Sequence, residues 1–216
     1  AVPLLAELVA QLFYLQRDQI GFVLDVAVIM VISLVFCASV WVGLEKGVKR
    51  LSNLNVYFAF FLLAFVFLFG PTLFILEMGI SSFGHLVQNF IKMSTWLDPM
   101  QKSDFVESWT VFYWAWWVAL GPYMGIFIAR ISKGRTLKQI ILGCLIYGTL
   151  GCTLFFMVFG NYSVYLELNG ITSVISTLNE DGAPMAIVRV LESLPLAKLT
   201  LIAFTLLCVI FAATSF

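Results

Sequence analysis

Apolar positions along this chain fall in long blocks, with polar positions confined to the gaps between them. Five blocks, over 22–43, 56–80, 106–131, 137–160 and 196–216, reach the roughly 20 residues that a helix needs to cross a bilayer. A shorter apolar run over 1–13 reads as the tail of a further crossing. Residues 80–97 follow a different rule. Phe83, Leu86, Val87, Phe90 and Ile91 recur at three-to-four spacing, with Ser82, His85, Gln88, Asn89 and Lys92 on the other side. That period predicts an amphipathic helix, suited to lying in the interface or packing on a neighbouring subunit. The connection over 161–195 reads as polar loop through Asn179-Glu180-Asp181-Gly182, and then as a short helix opened by Pro184. The pattern predicts an all-α, polytopic membrane protein.

Composition agrees. Hydrophobic residues make up 62% and charged residues 11%, against about a quarter charged in an average soluble domain, and mean hydropathy is +1.01. The chain has no initiator Met and no charged leader with a cleavage site, and it stops inside an apolar block. It is therefore expected to be a piece of a longer protein. The four cysteines, Cys37, Cys144, Cys152 and Cys208, sit inside predicted spans without metal-ligand spacing, where thiols behave as small hydrophobes.

Net charge is zero, but the charges are sorted. Seven of the twelve basic residues lie in two short loops: Lys46, Lys49 and Arg50 in GLEKGVKR, and Arg130, Lys133, Arg135 and Lys138 in ARISKGRTLK. An even number of crossings separates the loops, so they share a face, while every acidic residue except Glu45 falls on the other. The positive-inside rule assigns the basic loops at 44–50 and 130–138 to the cytoplasm. Asp25 and Glu77 sit within about a turn of outer span ends, and no span carries a carboxylate or base near its centre. A buried proton relay is thereby disfavoured. No Ser/His, Asp/Asp or HExxH set is present either, so an enzyme is not expected. His85 reads as a solvated surface residue, and nothing directs the chain to nucleic acid.

The densest feature is WTVFYWAWW, residues 109–117, which holds four of the six tryptophans. At about 100° per residue, Trp109, Phe112, Tyr113, Trp116, Trp117 and Leu120 share one broad helix face, and Trp114 points away. Three readings compete. An interfacial belt suits Trp109, but Trp116 and Trp117 lie two turns deeper. Core packing is the second, although membrane helix interfaces favour small residues. A cation site is the third, because ring faces attract quaternary ammonium groups by about 0.5–2 kcal/mol each when desolvated.

WTVFYWAWW, followed closely by ARISKGRT, resembles the betaine/choline/carnitine transporter family. GLEKGVKRLSNLN and the ending FAATS also resemble that family's segments, in the same order and spacing. The resemblance covers essentially the whole chain, from the end of the fifth to the tenth of about twelve transmembrane helices. It implies an inverted-repeat architecture like that of sodium-coupled amino-acid transporters, with substrate near the midplane. Trp117 resembles the residue that helps form the aromatic box around the trimethylammonium group. Trp116 and Leu120 resemble residues lining the inward exit path, and Tyr113 joins them on the same face. At Leu120, family members often carry a ring. Thr214 and Ser215 resemble the pair whose oxygens coordinate sodium in symporters, and Tyr123 stands where symporters commonly have Phe at a second sodium site. From the residues alone, the Thr-Ser pair reads first as back-bonded to its own helix, and the resemblance reverses that reading. Met124 resembles the position where a methionine replaces sodium in the sodium-independent antiporter.

These resemblances imply a sodium-coupled transporter of glycine betaine or a related quaternary ammonium solute, in osmoprotection. A bacterial inner-membrane location and a homotrimer built through the helix at 80–97 are implied with it. The alternatives are sodium-independent exchange of carnitine-like substrates, and an osmosensor that binds without transporting.

Overall fold

The computed structural model describes residues 2–15, 17–42, 47, 49–100 and 104–215. Glu45 and Lys46 of the first basic loop lie outside the described residues. All regular structure among the described residues is helical. The elements are α1 (Val2–Phe13), α2 (Arg17–Val42), α3 (Lys49–Phe69), α4 (Thr72–Thr95), α5 (Phe112–Ile131), α6 (Leu137–Phe155), α7 (Asn161–Leu168), α8 (Val174–Glu180), α9 (Ala183–Glu192) and α10 (Ala197–Ser215). Wider π-helical turns lead into α5 (Val106–Val111) and out of α6 (Phe156–Gly160). Five helical stretches are long and apolar enough to cross a membrane: Gly21–Trp41, Lys49–Phe69, Val106–Ile131, Leu137–Leu168 and Ala197–Thr214.

The apolar block at 56–80 is not one helix. Gly70 and Pro71 break it, so α3 stops at Phe69 and residues 72–80 begin α4, which runs on through the amphipathic stretch. Proline cannot donate the N–H that would continue α3, but is well placed just before a new helix. The corner is closed locally. Gly70 N–H donates to the Val66 carbonyl at 2.8 Å, and the Thr72 hydroxyl donates to the Phe67 carbonyl at 2.6 Å. The connection at 161–195 also differs from its loop-like reading, since α7 and α8 occupy most of it before α9.

The chain forms two compact units. In the first, residues 1–78 and 155–216, α10 packs against α2, α3 and α9, and α1 packs against α2, α9 and α10. Its core is aliphatic: Leu5 and Leu8 of α1, Leu62 and Val66 of α3, Val188 and Leu191 of α9, and Leu201 of α10 are all buried. The outer connection is pinned to this bundle. Tyr162 reaches Ser193 through a 2.8 Å hydroxyl–hydroxyl bond, Asn161 Nδ2 donates to the Ile75 carbonyl at 3.3 Å, and Gln11 donates to the Glu192 carboxylate.

The second unit, residues 79–154, holds the rest of α4, the π turn, α5 and most of α6. Neither α5 nor α6 buries a single residue. Apolar helices of this kind present their faces to lipid or to neighbouring protein. His85 is exposed on α4, with Asn89 donating to its backbone carbonyl at 3.0 Å.

Candidate functional site

The aromatic face of α5 is built by two ladders of rings one helical turn apart. Phe105, Trp109 and Tyr113 form the first, with centroids 6.4 and 6.0 Å apart and planes within 30° of parallel. Phe112 and Trp116 form the second, edge to face at 5.5 Å, and Phe112 meets Tyr113 at 5.5 Å to tie the ladders together. Such offset and edge contacts match the charge distribution of the rings. Residues four apart meet on a helix, so this stack needs no partner helix to hold it.

Trp117 continues the first ladder by position, one turn beyond Tyr113, yet no other ring among the described residues touches it. It is 59% exposed, Trp116 51% and Leu120 38%. Tyr113 is therefore tied into the stack while Trp117 offers a free ring face. Trp114 is exposed as well, on the side away from the ladders. Tyr123 is exposed and Met124 half-buried, both about two turns beyond Trp117 along α5.

Between Leu120 and Tyr123 lies a feature that the pattern of apolar positions conceals. Pro122 sits inside α5. Having no N–H, it leaves the Val118 carbonyl without its helical partner, one residue past Trp117. Its signal in the sequence is the Gly121-Pro122 dipeptide, an uncommon break in a continuous apolar run.

Thr214 and Ser215 close α10, in the other unit. The Thr214 hydroxyl donates to the Ile210 carbonyl at 2.9 Å, with Phe211 O at 3.2 Å. This is the back-bonded arrangement open to any helical threonine. It spends the hydroxyl proton and leaves the oxygen lone pairs available, which is what a hard cation would need. Ala212 and Ala213 beside it are fully buried. The Ser215 side chain lies outside the described residues. All four cysteines are free thiols.

Membrane-length apolar helices and an unburied helix lined with rings define the class: a multi-pass helical membrane protein. The sequence model of the betaine/carnitine/choline (BCCT) family of transporters matches residues 1–216, and the chain belongs to that family. It is 40% identical over 192 residues to a carnitine transporter of Acinetobacter baumannii, covering 89% of this chain and 35% of that protein. It is 35% identical to the glycine betaine transporter OpuD of Bacillus subtilis, covering 90% and 38%. An ectoine/hydroxyectoine transporter of Virgibacillus pantothenticus is 36% identical, with 88% and 37% covered. The chain thus spans little more than a third of the length of these relatives.

Proposed function

We propose that this chain is part of a secondary active transporter that carries glycine betaine or a related quaternary ammonium solute across the bacterial cytoplasmic membrane. The observation that carries the reading is the free ring face of Trp117, held beside the Tyr113–Phe112–Trp116 stack in a member of this family. A trimethylammonium group has no N–H to donate and a loose hydration shell. It therefore gains from aromatic faces what it cannot gain from hydrogen bonds. The stacked neighbours hold their rings in place before substrate arrives, which lowers the ordering cost of binding. Trp116 and Leu120 would line the inward path, and the rest of the box would come from a part of the protein beyond this chain. An inverted-repeat fold, cytoplasmic basic loops, a homotrimer and a role in osmoprotection belong to the same reading.

Coupling to sodium rests on Thr214 and Ser215, with Tyr123 at a second site. The Thr214 oxygen, its proton already committed to Ile210, is a suitable ligand for a hard cation. A second reading, sodium-independent exchange of carnitine-like substrates, draws on Met124 and on the relative named for carnitine transport.

The deciding experiment is uptake of radiolabelled betaine into proteoliposomes by the Trp117→Leu variant. Loss of one desolvated cation–π contact, worth up to about 2 kcal/mol, should weaken substrate binding on the order of tenfold or more and abolish uptake at low substrate. Membrane insertion should be unchanged. Retained uptake would return the tryptophans to a packing role, and betaine binding without any uptake by the unmodified protein would favour the sensor.

A further inference from the structure

The turn between α5 and α6 is short, ordered and strongly basic. Ser132 N–H still donates to the Ile128 carbonyl, and Arg135 N–H donates to Ser132 O, both at 3.0 Å. Gly134 sits at φ +85°, where residues with a side chain are strained. Thr136 and Gln139 then close a reciprocal cap. The Thr136 N–H donates to Gln139 Oε1 at 3.0 Å, and the Gln139 N–H donates to Thr136 Oγ1 at 3.3 Å. This frame presents Arg130, Lys133, Arg135 and Lys138, all exposed.

Nothing on these helices neutralises them. No Asp or Glu occurs between Glu107 and Glu167, and none of the four forms an ion pair among the described residues. Local energetics do not explain them all either. Arg135 and Lys138 flank the N-terminus of α6, where the helix dipole disfavours a cation. Their position is also specific. Ile131 and Leu137, on either side of the turn, are exposed and apolar, and they end two membrane-length helices. With these two helices read as membrane spans, the four cations fall at headgroup depth and not on a loop reaching into bulk solvent.

We propose that this turn is a binding surface for anionic phospholipid headgroups, with Arg130, Lys133, Arg135 and Lys138 together holding lipid phosphates at one leaflet. Lipid is favoured over an acidic protein segment because the basic side chains lie within a turn of the apolar helix ends. Thirteen residues separate Trp117 from Arg130, about 20 Å of helix at 1.5 Å per residue. With a hydrocarbon core about 30 Å thick, anchoring Arg130 among headgroups holds Trp117 near the membrane midplane. The inference rests on the membrane reading of the family and not on the identity of the substrate.

The test is native mass spectrometry of the purified transporter, released from membranes containing matched phosphatidylglycerol and phosphatidylcholine. The unmodified protein should retain phosphatidylglycerol in preference. The variant Lys133→Gln/Arg135→Gln/Lys138→Gln should lose that preference by about tenfold or more, since it removes three of the four cations that attract anionic headgroups. The charge-conserving Lys133→Arg/Lys138→Arg protein, which keeps the inserted topology, should retain it. Raising salt to about 1 M, where the screening length falls to about 3 Å, should release the bound lipid. Equal retention of the two lipids by the unmodified protein would overturn the proposal and give the patch to an acidic protein segment. Undiminished phosphatidylglycerol on the neutralised variant would overturn it too. No substrate enters the experiment, so its failure leaves the transport reading untouched.

Discussion

Tyr113 and Trp117 are one helical turn apart on the same helix, yet they stand in different situations. Tyr113 is fixed by Trp109 on one side and Phe112 on another, while Trp117 presents its face to whatever comes beside it. A residue's use follows from what its neighbours leave undone. Gly70 shows the opposite case, a place with no room left. A Cβ there would stand 2.6 Å from the Val66 carbonyl and 3.3 Å from the Tyr162 ring, whose hydroxyl is already tied to Ser193. Gly70→Ala is expected to cost about 1–3 kcal/mol through overpacking, read as a lowered melting temperature in detergent. Gly84→Ala on α4, where nothing lies within 4 Å, should leave it unchanged or raise it, by up to about 1 kcal/mol of helix propensity.

At the scale of elements, α5 is a helix modified before its start and again near its middle. A π turn precedes it and Pro122 interrupts its hydrogen bonding, so regular packing is given up on either side of Trp116 and Trp117. The outer helices are modest by contrast. The seven-residue α8 is too short to hold itself in water. Its first N–H groups are satisfied by Glu167 Oε2, which accepts from Val174 at 2.5 Å and Ile175 at 3.0 Å. Glu167→Gln keeps the shape but removes the charge from these bonds. It should cost about 0.5–2 kcal/mol of local stability and be visible as faster hydrogen exchange over Val174–Glu180, while α10 amides stay protected.

For the whole molecule, the consequence of the coupling proposal is thermodynamic. If sodium at Thr214 and Ser215 stabilises the substrate-ready state, sodium and substrate must raise each other's affinity by one common factor. Such couplings are typically worth about 1–3 kcal/mol, or roughly 5–150-fold. Betaine titrations with and without sodium measure it directly, and equal dissociation constants would leave exchange as the working mechanism. Substituting Met124 then becomes the informative comparison.

Much of this molecule is legible in its amino-acid sequence. Water rejects apolar side chains wherever they occur, so membrane-length helices declare themselves by composition alone. Contacts one turn apart depend only on helix pitch, so the ring face of WTVFYWAWW and the back-bonding of Thr214 are local properties too. Three things are not legible there. The break at Gly70-Pro71 is masked by apolar residues on both sides. Helices α7 and α8 have no strong hydrophobic periodicity, and α8 depends on a carboxylate from seven residues upstream. The outer helices are held by the Tyr162–Ser193 and Gln11–Glu192 bonds, whose partners lie far apart in sequence. The chain alone thus determined the membrane environment, the helices and the aromatic face, because transfer energy and helical pitch act residue by residue. Tertiary structure decided where the apolar block divides and how the outer helices are pinned, because those outcomes depend on contacts between residues far apart in sequence.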